Sequence, residues 1–234
     1  MKNFLFVTLG TSALDAPRRI PVVNPARRAE LEPLAQRVRE FKKDQSAGKE
    51  IEAEALFKPL LALHLGFWTQ SSIPKDTESR RQTSAELLTT VVLLNQLAHD
   101  TDVFVDRVVL LIPETTEGML SGRIVTKVME SPEYRGHGPI PEVRTRVIPG
   151  IAEKEKVPLL PGALLSAVDE NRESEADRII FNATAGYGAV QILIGMLALR
   201  YGFRIYYQHD SMPEPIFVSQ NLDIGWSPRT WIVS

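Results

Sequence analysis

The sequence predicts an α/β fold, a largely parallel sheet of about six strands flanked by helices. Three observations predict it. The runs Phe4–Val7, Arg107–Ile112 and Arg178–Phe181 are short, apolar and rich in β-branched residues, which is how strands buried on both faces read. Helical patterns stand between most of the strand patterns, the alternation that makes parallel sheets. Two of the strands run directly into small, hydroxyl-bearing turns, and in open α/β sheets such turns lie at the carboxyl ends of strands, where ligands bind.

In chain order, the first strand is Phe4-Leu5-Phe6-Val7, followed by Thr8-Leu9-Gly10-Thr11-Ser12. Residues 14–25, with three prolines and Arg18-Arg19, read as a long loop, and long loops in compact domains are often functional. The two arginines either reach phosphates at the end of the first strand or are solvated surface charges. Asn24-Pro25 opens a helix as cap and first-turn proline. Ala26 to Lys43 places Leu31, Leu34, Val38 and Phe41 three or four apart, an amphipathic helix. Glu50 to Leu65 is helical again, with Pro59 as a kink site, and Phe67 and Trp68 close it. These two form a helical hairpin inserted at about 26–68, expected to cover a sheet edge or to provide a lid or dimer surface.

Glu78 to His99 has the longest helical pattern, with Ser84-Ala85-Glu86 at a helix head. A strand at Arg107–Ile112, a helix from Glu117 to Glu130, a proline- and glycine-containing loop from Ser131 to Pro141, a strand from Val143 to Ile148 and a helix from Pro161 to Ser174 follow. Arg178–Phe181 is the next strand and Ala189 to Arg200 its helix, stopped at Gly202. Phe203–Tyr207 and Pro215–Ser219 are two strands without a helix between them, which suggests a hairpin at the sheet edge. The whole is one domain, 1–234.

Composition narrows the function. Hydrophobic residues make up 44% and charged residues 24%, as in ordinary soluble globular proteins. The net charge of −2 gives no bulk attraction for long nucleic acid, while a small anion needs only a local pocket. With no cysteine, disulfides, thiolate nucleophiles and cysteine-ligated metals are excluded. No signal-peptide layout and no apolar run of membrane-spanning length are present, so the cytoplasm is the expected location.

The second turn carries more chemistry. Asn182 and Thr184 are polar, Gly186 and Gly188 allow close approach of a ligand to the backbone, and Tyr187 offers a ring for stacking. Backbone amides and the following helix start favour anions, phosphate above all. Each turn taken alone is equally well read as an ordinary strand-to-helix connection capped by Ser or Thr. Two such turns converge if their strands are neighbours.

The pair resembles the CARF family (CRISPR-associated Rossmann fold), the Rossmann-like domains of type III CRISPR systems that bind cyclic oligoadenylates. Gly10-Thr11-Ser12 matches the Gly-Thr-Ser turn after the family's first strand, and Asn182, Ala183, Thr184, Ala185, Gly186, Tyr187 and Gly188 match a later Asn-x-Thr-Gly-Gly-Phe-Lys segment. Ser84-Ala85-Glu86 is similar to a further motif of these proteins. The resemblance implies a homodimer with the ring ligand across its two-fold axis. A ring of four or six identical nucleotides has an even-fold axis of its own, and an isologous interface presents each turn twice. The ligand-binding residues so implied are Gly10, Thr11, Ser12, Asn182, Thr184, Ala185, Gly186, Tyr187 and Gly188, with an effector domain or protein downstream in the antiviral response.

Ring cleavage is the alternative. RNA carries its own 2′-hydroxyl nucleophile, so a protein need only align it and stabilise charge on phosphate, without metal. The family's ring nucleases resemble such a device, and Thr11 and Ser12 would then be catalytic. The family's lysine, however, is Gly188 here, a loss worth several kcal/mol of transition-state stabilisation, which ranks sensing above cutting unless Arg18 or Arg178 substitutes. A nucleotide-processing enzyme unrelated to CRISPR is the second alternative, without a Gly-x-Gly-x-x-Gly fingerprint, and a purely structural domain the third. His64, His99, His137 and His209 have no metal-ligand spacing, and no metal or other cofactor is expected. Arg204 and His209 have the spacing of the HEPN ribonuclease motif, which belongs on a helix rather than on this strand and turn.

Overall fold

A computed structural model describes residues 1–44, 49–70, 72–74, 76–149, 158–184, 188–208 and 216–218. Six strands form one sheet: β1 (Asn3–Thr8), β2 (Arg107–Pro113), β3 (Glu142–Ile148), β4 (Arg178–Asn182), β5 (Arg204–Tyr207) and β6 (Ile216–Val218). The helices are α1 (Ala16–Val23), α2 (Arg28–Lys43), α3 (Lys49–Trp68), α4 (Thr77–Arg80), α5 (Ala85–Asp100), α6 (Thr116–Glu130), α7 (Pro132–Arg135), α8 (Leu160–Asn171) and α9 (Gly188–Tyr201). The strand order is β3-β2-β1-β4-β5-β6, parallel throughout except for β6 against β5. This is the Rossmann-like arrangement expected from the sequence, including the terminal antiparallel pair.

Side-chain alternation sorts the strands between two cores. Leu5 and Val7 of β1, with Val108, Leu110 and Ile112 of β2, face α3, α5 and α6. Phe4 and Phe6, with Val109, Leu111 and Phe181, face α8 and α9, and the Phe6 and Phe181 rings stack at 5.2 Å. Both faces of the central strands are therefore dry, which is why they read as continuous apolar runs rather than as alternating ones.

Four local expectations are corrected. Residues 14–25 are not a loop: a short 3-10 turn at Ser12–Asp15 leads into α1. Pro17 sits in the first turn, where a missing N–H costs nothing, and burial of Ala16 and Ile20 against Leu31 supplies the reason to fold. The pattern from Glu78 to His99 is broken between α4 and α5, because Ser84 caps α5 by accepting from the Leu87 amide at 3.1 Å. The longest helix is instead α3, at 20 residues, with Pro59 inside it. Between Ser131 and Pro141 lies the short α7, capped by Ser131 and anchored by the buried Tyr134.

The inserted hairpin is α2 and α3. Leu56, Leu60, Phe67 and Trp68 join the core on the α5–α6 face, and Arg123 of α6 ion-pairs with Glu54 at 2.7 Å and lies 4.4 Å over the Phe57 ring. The hairpin thus thickens the helical layer instead of covering an edge; the edge strands are β3 and β6. Gly202, with φ 74°, ends α9 in the left-handed conformation that glycine adopts without cost.

Candidate functional site

The strand order reverses between β1 and β4, and ligands of open α/β sheets bind at such a switch point, beyond the carboxyl ends of the strands. Both turns singled out in the sequence emerge there. Val7 pairs with Asn182, so the turns begin on adjacent strands about 5 Å apart. The Thr8 hydroxyl donates to the Asn182 carbonyl at 3.3 Å and ties the two strand ends directly.

The first turn is held from below. Glu86 is fully buried; one carboxylate oxygen accepts the Gly10 N–H at 2.8 Å and the other accepts the Ser12 hydroxyl. Ser12 Oγ in turn accepts the Ala85 N–H at 3.0 Å. The proton of Ser12 therefore points inward, to Glu86. Thr11 is partly exposed and makes no side-chain capping bond.

The second turn is held by the same helix. Asn182 is 2% exposed. Its amide nitrogen donates to Thr89 Oγ1 at 2.9 Å and to Thr90 Oγ1 at 3.5 Å, and its Oδ1 accepts the Thr184 N–H at 3.2 Å. Asn182 thus faces the interior and shapes the turn rather than projecting from it. Thr184 is partly exposed; its hydroxyl accepts the Gln208 N–H at 3.0 Å, and its carbonyl accepts Gln191 Nε2 at 3.4 Å. Glu86, Thr89 and Thr90 stand three and four residues apart, on one face of α5, and that face grips both turns.

The inserted hairpin reaches the site through His64. Its Nε2 donates to the Ala13 carbonyl at 2.8 Å, and its Nδ1 accepts from the Thr83 hydroxyl at 3.1 Å; the carbonyl can only accept, which fixes the tautomer. Burial pushes the imidazole down to about 4, against the Ala13 hydrogen bond, with Arg19 lowering it further.

Gly188 begins α9, is exposed, and an added Cβ meets nothing within 4 Å. Among the described residues Gly202 is the glycine with positive φ, so Gly188 is not there for a left-handed backbone. Ala185, Gly186, Tyr187 and His209 lie outside the described residues. Arg178 opens β4 at the amino end of the sheet, its N–H on the Lys2 carbonyl, a strand length from the site. Arg18 stands at the correct end and lies 3.9 Å from Asp15. Among the described residues no cluster of His, Asp or Glu has metal-binding geometry, and no helix is long and apolar enough to cross a membrane.

Sequence reasoning singled out the turns but missed what holds them: Thr8, His64, Thr89, Thr90 and Gln208. The signal for two of these was the Thr89-Thr90 pair inside the apolar stretch Leu87 to Leu94.

No curated protein matches the chain. Among solved structures the chain is similar to Csm6 of Enterococcus italicus bound to cyclic hexa-2'-fluoro-hexa-dAMP, at 10% identity and a TM-score of 0.36, over 55% of this chain. The chain spans 36% of that Csm6, a likeness too slight to bear on function. Residues 81–219 match the model of a family described as CRISPR-associated protein (Cas_APE2256). The matched span holds Ser84-Ala85-Glu86, β4 and the second turn, and begins after Gly10-Thr11-Ser12. With more than half of its length matched, the chain belongs to this CRISPR-associated family, in agreement with the CARF assignment made from its two turns.

Proposed function

We propose that the chain binds a cyclic oligoadenylate, cyclic tetra-adenylate or cyclic hexa-adenylate, at a homodimer interface and acts as a sensor in a type III CRISPR response. The observation that carries this reading is the pairing of the two turns: they leave adjacent strands at the sheet's switch point and are clamped by one face of α5. Thr11 and Thr184 supply partly exposed hydroxyls at that edge. The family resemblance adds Gly10, Ala185, Gly186, Tyr187 and Gly188 to the proposed ligand contacts.

Dimerisation has a candidate surface in α9. Ile192, Met196 and Leu199 are 68%, 62% and 63% exposed and lie on one face at i, i+4 and i+7. An apolar stripe of this kind marks a protein contact. It begins one turn after Gly188, so a partner packed on it lies beside the second turn.

Binding is favoured over cutting for two reasons. The Ser12 proton is committed to Glu86, and no lysine stands at Gly188 to stabilise charge on phosphate. A thermal-shift panel tests the reading: a ring at a hundredfold over its dissociation constant adds ~2.7 kcal/mol of stability, whereas AMP, ATP and NAD leave the melting temperature unchanged. A shift with NAD or ATP and none with either ring supports the nucleotide-processing alternative instead.

A further inference from the structure

We propose that Glu86 is the positioning residue of the first turn, a buried carboxylate that spends the turn's inward donors and leaves Thr11 as its ligand-facing group. The inference rests on the cyclic oligoadenylate reading above and adds a division of labour within the first turn.

A carboxylate removed from water is costly unless its oxygens are bonded. Glu86 is fully buried, and each of its oxygens takes a donor from the same three-residue turn, the Gly10 N–H and the Ser12 hydroxyl. It also lies in the first turn of α5, where the helix dipole favours negative charge. The amide of Gly10, the first backbone donor beyond Leu9, is therefore engaged by the protein's own anion. A phosphate placed there would have to displace a carboxylate that has nowhere to go. The first turn thus meets its ligand through the Thr11 hydroxyl, while Thr89 and Thr90 of the same helix hold Asn182 at the start of the second turn. Because Glu86 is one helical turn from those threonines, α5 fixes the spacing between Thr11 and the start of the second turn.

A double-mutant cycle read by calorimetry, with cyclic tetra-adenylate and cyclic hexa-adenylate as probes, tests this. T11A is expected to weaken ring binding about tenfold in the wild-type background and less than twofold in E86A. T184A is expected to cost the same factor in both backgrounds. E86Q, which keeps one accepting oxygen, should recover part of the loss seen in E86A, and it carries the cycle if E86A fails to fold. Equal T11A losses in the two backgrounds overturn the proposal. Amide exchange decides the clamp without any ligand: Gly10 N–H should exchange more than tenfold faster in E86A, or in E86L if E86A fails to fold, neither of which has an accepting oxygen, while Ala183 N–H, bonded to the Tyr206 carbonyl, is unchanged. An unchanged Gly10 rate overturns the clamp. Failure of the wild type to bind either ring, with the Gly10 result intact, overturns the functional reading and leaves the clamp standing.

Discussion

Asn182 and Thr11 separate two jobs that a sequence motif merges. Asn182 makes three hydrogen bonds in the interior, and Asn182→Ala would strand the Thr184 amide and two hydroxyl acceptors. We expect it to cost about 2 kcal/mol and to lower the melting temperature by about 4–8 °C for a chain of this size. Thr11→Ala, at a partly exposed hydroxyl without a capping bond, should change stability by less than about 0.5 kcal/mol while weakening ring binding by about 1–3 kcal/mol. Parallel melting and calorimetry of the two variants check the contrast. From the sequence both residues belong to one ligand-binding set, because a motif shows residue types but not the direction of a side chain. The burial of Asn182 adds a folding role to the expected ligand contact, so its variant should show first as a folding variant. Ser12 is a similar case, since its partner lies 74 residues away and no local pattern announces it.

At the scale of elements, α3 and α9 make the sharpest expectations. His64 anchors α3 to the first turn as a neutral imidazole with its pKa near 4. An unfolded histidine titrates at about 6.5, so between these values the unfolded chain holds a proton that the folded chain does not. Stability from this group is complete above about pH 6.5 and declines as pH falls toward 4, by about 3 kcal/mol at most. Urea melts at pH 7 and pH 4.5 should show that decline, and His64→Gln, which keeps one donor and one acceptor, should flatten it. In α9, Gly188→Lys meets open space. Its helix-propensity gain of up to ~0.7 kcal/mol is offset by the dipole cost of a cation at a helix start, ~0.3–1 kcal/mol. Stability should therefore stay within about 1 kcal/mol, and the variant should cut cyclic tetra-adenylate slowly in EDTA while the wild type leaves it intact for hours. Rapid cutting by the wild type, giving ends with a 2′,3′-cyclic phosphate, would show that the lysine was never the decisive group. The strands and the long helices were legible because their patterns are set by burial on one or two faces. The helix α1 was not, because three prolines in a dozen residues resemble a loop until Ala16 and Ile20 are seen to be buried.

For the whole molecule, topology does what neither turn does alone. Residues near Gly10 and Thr184 are distant in sequence, and only the order β3-β2-β1-β4-β5-β6 makes their strands neighbours. That adjacency was expected from the two matching turns; the single helix that grips both of them was not, because Glu86, Thr89 and Thr90 act on partners far along the chain. The central claim is that one ring binds across two copies of this chain, with the α9 stripe at the seam. Isothermal titration calorimetry with cyclic tetra-adenylate and cyclic hexa-adenylate, run beside sedimentation at the same micromolar concentration, tests it most directly. Saturation is expected at one ring per dimer, two chains to each ring, with the chain sedimenting as a dimer before ligand is added. Heat-silent titrations with both rings, or a monomer that takes up one ring per chain, would contradict it.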